Sequence, residues 1–355
     1  MKHVSELQNI LSQFLNWNKA RCACLTQILQ ALFQVRTVNL TQIATAFQSE
    51  TKEASCYRRV CRFFTNFSFD LSTIVSIVLK LFPLDGKYLL IMDRTNWKWG
   101  KSPINILMLS VAYKGISIPL FWSVLSLEGN STTDERIKLL QRVIKRFGTH
   151  RIAALTADRE FIGREWFSFL DRQEIPFIIR IKKSFLAEGI RKEGLGKVGE
   201  LYKPKRKTLN QKVILWSIPV YISIQKKKGA KEPIIVASNM EFKDALQMYK
   251  KRWEIETLFA CMKTRGFRME DTHITDLDKI EKLIFVLAIA FCWSYRMGDI
   301  KTKEEPIKIK AHGRKAKSIF RVGLDLIREV ILRRKSVEEF RRLLDCFGTQ
   351  SKETA

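Results

Sequence analysis

Apolar residues recur at helical spacing through the first 75 residues of the chain. One such stripe consists of Leu7, Ile10, Leu11, Phe14 and Leu15. This spacing predicts helices with one buried face. Further along, two short helical segments flank a polar break, and the second carries Arg58, Arg59 and Arg62. The pair suits either a helix-turn-helix with a basic second helix or an ordinary basic three-helix bundle.

From Lys87 onward the pattern changes to short apolar runs that are typical of buried strands. These runs are Tyr88–Asp93, Ile104–Lys114, Ile116–Ser126, Ile152–Asp158 and Pro176–Lys182. Helical patterns over about Asp134–Phe147 and Gly163–Arg172 separate the last three runs. Strands and helices in this order predict an α/β fold with a mixed sheet flanked by helices.

A stretch rich in Lys and Gly, at about 184–230, interrupts this rhythm. It contains two strand-like runs, KVILWSI and VYISIQ, which predict a β-rich insertion. A strand over Pro233–Ser238 and a helix from about Phe242 to Arg265 then resume the main domain. The C-terminal part is helical and includes the 11-residue apolar run Leu283–Trp293. Because a membrane-spanning helix needs roughly 20 apolar residues, this run predicts a buried helix.

Charge narrows the choice of partners. The 355 residues include 63 Lys and Arg against 36 Asp and Glu, a formal net charge of +27, while 46% of residues are hydrophobic. This composition is typical of a folded protein whose positive charges repel one another unless a polyanion binds. Nucleic acid is the first candidate for that partner, and an anionic membrane surface is the second. Seven cysteines without paired spacing predict reduced thiols in the cytoplasm.

Two acidic residues close apolar runs, Asp93 after LLIM and Asp158 after AALTA. A side chain at the carboxyl end of a strand leaves the core at an open edge of the sheet. Either aspartate alone could simply start a turn or cap a helix. Two of them in so basic a protein favour a divalent metal that lies between the carboxylates and nucleic-acid phosphates.

A third group of polar residues lies on the predicted helix YKKRWEIETLFACMK. Tyr249, Arg252, Glu256 and Lys263 follow one another at steps of 3, 4 and 7 residues. At about 100° per residue, Tyr249, Glu256 and Lys263 share one face of a continuous helix, and Arg252 lies about 60° from it. Taken alone, such a charged stripe is usually a solvated face.

Together these residues resemble the Y-x2-R-x3-E-x6-K signature of the IS-four family of bacterial insertion-sequence transposases, which includes the Tn-five and Tn-ten enzymes. The resemblance extends to DRT after the first strand, TADREF after the fourth, and the insertion before the glutamate helix. The segment HGRKAKSIFRVGLDLI also resembles the C-terminal helices of these transposases.

The resemblance implies an RNase H-like fold whose catalytic and metal-binding residues are Asp93, Asp158 and Glu256. These carboxylates would hold two Mg²⁺ ions, for which Mn²⁺ could substitute. The resemblance assigns DNA contacts to Tyr249, Arg252 and Lys263, and Arg180 on the fifth strand is a further candidate. Trp216 could stack on a flipped base or fill the core, and Trp97 and Trp99 are similarly ambiguous.

The implied function is cut-and-paste transposition by an endonuclease that binds double-stranded DNA at terminal inverted repeats and joins the 3′ ends to target DNA. The enzyme would act as a homodimer in the bacterial cytoplasm. Residues 1–75 would bind DNA, 76–270 would form the catalytic core, and 271–355 would support dimerisation. Two alternatives stay open: a transposase-derived DNA-binding regulator without cleavage activity, and an RNase H-like nuclease without strand transfer.

Overall fold

The computed structural model describes residues 2–67, 69–204, 207–226, 228–333 and 337–348. Lys205, Arg206 and Lys227 of the predicted insertion lie outside the described residues, as do 334–336 and 349–355 of the C-terminal region. The chain forms two compact units. The helical unit contains Met1–Leu84, Trp97–Ile104 and Phe259–Ala355, and the sheet unit contains Asp85–Asn96 and Asn105–Leu258. The three-part functional division of the chain stays a prediction.

The N-terminal part of the helical unit is helical, as the apolar spacing predicts. Its helices are α1 (Lys2–Phe14), α2 (Lys19–Val35), α3 (Leu40–Thr45), α4 (Glu53–Thr65) and α5 (Leu71–Leu81). Polar side chains begin several of them, since Asn18, Asn39 and Asp70 each accept hydrogen bonds from first-turn amides. The two short helices around the polar break are α3 and α4, and Arg58 and Arg62 of α4 are exposed.

The sheet unit has the predicted α/β architecture. Its first elements are β1 (Tyr88–Trp99), β2 (Ser102–Tyr113), β3 (Ile116–Leu125), α6 (Thr133–Phe147), β4 (Ile152–Ala157), α7 (Arg164–Arg172) and β5 (Phe177–Arg180). β1, β4 and β5 run parallel, and β2 pairs antiparallel with β3. Thr132 begins α6 with a capping box. Its hydroxyl oxygen accepts a hydrogen bond from the Glu135 amide, and the Glu135 carboxylate accepts one from the Thr132 amide.

The remaining elements of the sheet are β6 (Leu186–Ala187), β7 (Gly196–Lys197), β8 (Thr208–Leu215), β9 (Ile218–Gln225) and β10 (Ile234–Ser238). The eight-stranded sheet has the order β3-β2-β1-β4-β5-β10-β9-β8, and β6 and β7 form a separate pair. The insertion is β-rich, as predicted, and its longest strands extend the main sheet. One predicted boundary is wrong: the run KVILWSI ends at Leu215, because Trp216 and Ser217 form a hairpin turn with φ of 53° and 66°.

Two further boundaries differ from the sequence-based expectation. Asp93 does not end its strand, because β1 continues beside β2 to Trp99. The predicted helix from Phe242 to Arg265 is interrupted: α8 (Ala245–Lys250) and α9 (Glu254–Ala260) flank a 3₁₀ turn, and a π turn follows. Lys263 within that π turn has non-helical angles (φ −81°, ψ −105°). The single continuous face drawn for this helix is therefore wrong.

The C-terminal part of the helical unit contains α10 (Leu277–Glu304), α11 (Ile319–Leu332) and α12 (Val337–Leu344). α10 and α11 touch backbone to backbone at a pair of glycines. A Cβ atom on Gly298 would lie 1.9 Å from the Ile319 carbonyl oxygen, and one on Gly323 would lie 1.8 Å from that of Ser294. Only glycine fits at these two positions of the crossing.

Within the described residues, α10 is the one helix whose length and composition would let it cross a membrane. In the structure, 89% of its apolar window is buried. The apolar run Leu283–Trp293 therefore lies in the middle of a core helix, as predicted.

Candidate active site

The register of β1 and β4 brings the two aspartates together. The strands pair in parallel, with Tyr88 opposite Ile152 at one end and Met92 opposite Ala157 at the other. The next residues along the two strands are Asp93 and Asp158. Each carboxylate accepts a hydrogen bond from the following backbone amide, that of Arg94 or Arg159, at 2.8 Å. Both side chains are thus held in the same local geometry, at the point where β4 ends.

The charge of Asp93 is only partly compensated by its neighbours. Its side chain is 14% exposed, and Arg252 Nη1 donates to its Oδ2 at 2.7 Å. Burial raises the pKa of Asp93 to about 6 although Arg252 and the Arg94 amide lower it, and Glu160 and Asp158 raise it further. Loss of hydration therefore disfavours the charged form of Asp93 by more than Arg252 and the Arg94 amide stabilise it.

Arg252 joins two of the three predicted catalytic carboxylates. While Nη1 contacts Asp93, Nη2 donates to Glu256 Oε1 at 2.8 Å. The side chain is buried in the 3₁₀ turn that precedes α9. Burial lowers the pKa of Arg252, but Asp93 and other negative neighbours outweigh it and raise the pKa above its usual value. Arg252 is thus the counter-ion of Asp93 and Glu256 in this structure.

Two more predicted residues contact Asp158. The Tyr249 hydroxyl donates to Asp158 Oδ1 at 3.3 Å, and Arg180 Nη1 lies 3.7 Å from the same oxygen. The Tyr249 ring packs on Ala154 and Ile178 of the sheet, which fixes its direction. Burial, together with the nearby Asp158 carboxylate, raises the pKa of Tyr249 to about 12, so the hydroxyl stays protonated as a donor.

Lys263 belongs to the helical unit, whereas the six residues described above belong to the sheet unit. Its ammonium pairs with Glu270 Oε1 at 2.8 Å and lies 5.6 Å from the centre of the Trp97 ring, both within the helical unit. The backbone at Lys263 is non-helical, so the register of a continuous helix is broken at this residue.

Sequence reasoning missed a second ion pair beside the aspartates. Arg94 contacts both carboxylate oxygens of Glu160 at 3.3 Å and donates to Asn105 Oδ1 at 3.0 Å. Buried Arg136 in turn donates to the Glu160 carbonyl oxygen at 3.1 Å. The residues that follow the two aspartates are thereby connected to each other. The available signal was the repeated Asp-Arg dipeptide, at Asp93-Arg94 and at Asp158-Arg159.

The three tryptophans considered from the sequence have different surroundings. Trp216 is half-buried and meets the rings of Phe167 and Phe185 edge to face, with centroids 5.5 and 5.4 Å away. These contacts favour the core-filling alternative for Trp216. Trp99 is exposed and stacks on His273 at 4.1 Å, and Trp97 lies beside Lys263.

The donor set suits a hard divalent cation, although Arg252 now bridges two of its members. Asp93, Asp158 and Glu256 offer carboxylate oxygens, which are the ligands of Mg²⁺. Among the residues that the structure describes, no three Asp, Glu, His or Cys side chains are arranged to hold a metal. Arg252 contacts one carboxylate oxygen of Asp93 and one of Glu256, so it would compete with a cation bound by both residues.

Comparison with known families identifies the domain that carries these residues. The model of the Transposase DDE domain family matches residues 85–293, which is more than half of the chain and includes every predicted site residue. No curated protein matches the chain.

Proposed function

Because the chain belongs to the transposase DDE domain family, we propose that it is the transposase of a bacterial insertion sequence of the IS-four group. Its substrate, as the family implies, is DNA. The proposed reaction is cut-and-paste: the protein binds the terminal inverted repeats, hydrolyses phosphodiester bonds at the element's ends and joins the 3′ ends to target DNA.

One observation carries the proposal. Asp93, Asp158 and Glu256 come from β1, the end of β4 and α9, and polar contacts through Arg252, Tyr249 and Arg180 draw them to one edge of the sheet. Burying carboxylates side by side costs stability, as the raised pKa of Asp93 indicates. Such an arrangement is typical of a site that works on phosphates through a cation.

The three acids would hold the metal ions of the proposed site. DDE transposases generally use a divalent metal, and Mg²⁺ is the ion that we propose here, with Mn²⁺ as a substitute. When bound, two such ions would activate water or a 3′-hydroxyl and stabilise the leaving oxygen. The paired amides of Arg94 and Arg159 orient the two aspartates before any ligand arrives.

The basic and hydroxyl groups of the site would position DNA. Arg252 offers a planar pair of donors that suits a phosphate as well as it suits the two carboxylates. Arg180 and Tyr249 place a cation and an O–H donor beside Asp158. Lys263 belongs to the same proposed set, and would contact DNA from its place beside Trp97 and Glu270.

The remaining parts of the proposal concern assembly. Residues 1–75 would contribute sequence-specific DNA binding, with exposed Arg58 and Arg62 of α4 as candidates. Residues 271–355 would support a homodimer that cuts in trans. The protein would act in the cytoplasm, on the nucleoid.

The test compares the wild-type protein with Glu256→Gln on DNA that carries the ends of its own element. Strand cleavage with Mg²⁺ is measured on a denaturing gel, with Glu241→Gln as a control because Glu241 is an exposed glutamate of the same unit. We expect cuts at the ends with wild type and control, and a loss of at least about 100-fold with Glu256→Gln.

Each alternative has its own outcome. Specific binding to the ends without cleavage by either protein would indicate a DNA-binding regulator. Cleavage that ignores the end sequence and leaves no joined product would indicate a plain nuclease. Cleavage by Glu256→Gln at the wild-type rate would mean that the third acid is another residue.

A further inference from the structure

A basic cavity lies in the helical unit, formed by residues that the candidate active site does not use. It has a volume of about 420 Å³, and four of its lining residues are the cations Arg36, Arg265, Lys317 and Arg321. Among the described residues that line it there is no acid. The nearest compensation comes from Asp325, which pairs with Lys317 at 2.9 Å and with Arg321 at 2.8 Å.

The cations of this cavity repel one another. Burial lowers the pKa of Arg36, and Arg321, Arg328 and Arg268 lower it further, against the opposite effect of Asp325. The carboxylate of Asp325 thus opposes the mutual repulsion of four guanidinium groups, those of Arg36, Arg268, Arg321 and Arg328. The Nε atom of Arg36 is also buried without a hydrogen-bond partner. A bound anion would relieve this repulsion.

The backbone around the cavity is held in costly conformations. Arg36 and Arg268 both have positive φ, at 56° and 52°, which is uncommon for residues other than glycine. Arg36 Nη2 donates to the Arg265 carbonyl oxygen at 3.3 Å. Gly266 leaves no room for a side chain, because a Cβ there would lie 2.2 Å from the Cys261 carbonyl oxygen and 2.8 Å from the Phe320 ring. Close packing therefore fixes the segment that carries Arg265 and Arg268.

The same cavity receives the N-terminus of α11. Ser318 caps this 14-residue helix by accepting a hydrogen bond from the Arg321 amide, and both residues line the cavity. The positive end of the helix dipole adds to the field of the four cations. Charge and a helix terminus thus favour the same kind of ligand, a phosphate group.

We propose that this cavity, the α11 pocket (Arg36, Arg265, Lys317, Ser318 and Arg321), binds a backbone phosphate of the DNA substrate. This inference rests on the proposed function, since it takes DNA as the substrate. Its contact carries no sequence information and adds affinity at a place distinct from the three acids. Free inorganic phosphate has the same chemistry, and the experiment distinguishes the two sources.

The test measures binding of the full-length protein to a short duplex at several salt concentrations, in chelator so that no cleavage occurs. The pocket variant is Arg265→Gln with Lys317→Gln, since both side chains are exposed. The matched control is Arg333→Gln with Arg342→Gln, which removes the same charge from exposed residues outside the pocket. A charge-keeping variant, Arg265→Lys with Lys317→Arg, reports whether the pocket still folds.

We expect the pocket variant to bind DNA roughly tenfold more weakly and to lower the slope of log Kd against log salt by about one, as for one lost phosphate contact. The control and the charge-keeping variant should lose much less. Equal losses in pocket variant and control would overturn the inference while leaving the transposase proposal intact. A wild-type protein that binds no DNA would overturn both.

Inorganic phosphate alone is the second arm, measured as a shift of the unfolding temperature. Millimolar phosphate that stabilises the wild type but not the pocket variant, together with unchanged DNA affinity of that variant, would assign the pocket to free phosphate. That result would overturn the DNA assignment.

Discussion

Among single residues, Arg252 determines the charge balance of the candidate active site. It is 8% exposed and contacts two carboxylates from different elements, Asp93 and Glu256, with separate nitrogen atoms. A lysine could not make both contacts in one plane, because its ammonium is a point charge. The guanidinium group of Arg252 therefore lies between two carboxylates that we propose as metal ligands.

Replacing Arg252 by Ala should lower the free energy of unfolding in chelator by about 3 kcal/mol, because a buried acid is left without its partner. Arg252→Lys should recover part of the loss. Urea unfolding measures both, and Lys251→Ala, at an exposed residue of the same turn, is the control. In the absence of chelator, added Mg²⁺ should stabilise the Arg252→Ala protein more than the wild type, because in the variant Mg²⁺ does not compete with a guanidinium group. An Arg252→Ala protein as stable as the control would contradict this role.

The raised pKa of Asp93 predicts an unusual pH dependence. Its pKa rises from 3.8 to about 6 on folding, so the native state binds more protons than the unfolded state between these values. Stability then falls as pH rises through this window, by at most about 3 kcal/mol for this group. Thermal unfolding in chelator at pH 5 and 7 should show a difference that shrinks in Asp93→Asn. The exposed Asp171→Asn should keep the wild-type difference.

Among the elements, α9 is the one whose attachment decides where Glu256 lies. Its first residue, Glu254, accepts hydrogen bonds from the amides of Tyr113 at 2.9 Å and Gly115 at 3.2 Å, in the turn between β2 and β3. Burial raises the pKa of Glu254 against these two bonds. Through Glu254, two residues before Glu256, the helix is thereby attached to the β2–β3 hairpin of the sheet.

Glu254→Ala should cost about 2 kcal/mol of stability, because two backbone amides lose a charged acceptor. It should also reduce end cleavage, since α9 would be free to shift. Glu254→Gln keeps one acceptor oxygen and should show intermediate effects. Chemical unfolding and the denaturing-gel assay measure the two effects, with exposed Glu165→Ala as the control. Full cleavage activity in a destabilised Glu254→Ala protein would mean that the attachment does not position Glu256.

For the whole molecule, the sequence predicted the architecture better than the local breaks. Alternation of apolar runs and helical patterns was enough for the sheet, and the ends of two such runs located Asp93 and Asp158. The extension of β1 past Asp93 depends on pairing with β2, which no local pattern records. The turn at Trp216 and Ser217 has no glycine or asparagine to mark it.

The same distinction separates the site residues. Only about two helical turns separate the first and last of Tyr249, Arg252 and Glu256. Even an interrupted helix therefore keeps these three residues near the aspartates. Lys263 lies within the π turn, and a helical wheel cannot anticipate that break. The Arg94–Glu160 pair was missed because its partners are 66 residues apart in the chain.

The glycine crossing of α10 and α11 also makes two distant positions one mutational target. An alanine at Gly298 or at Gly323 must push the same two backbones apart, and each should cost about 3 kcal/mol. Once the helices have separated, the second methyl group enters space that the first has already opened. The double variant should therefore unfold close to the worse single variant, as denaturant titration of all three would measure.

Full additivity would mean that each methyl group is accommodated separately. If the effects are not additive, a protein that already carries one of these alanines loses little further stability when it acquires the second. The crossing would then be inherited as a pair, with its two glycines kept together or lost together.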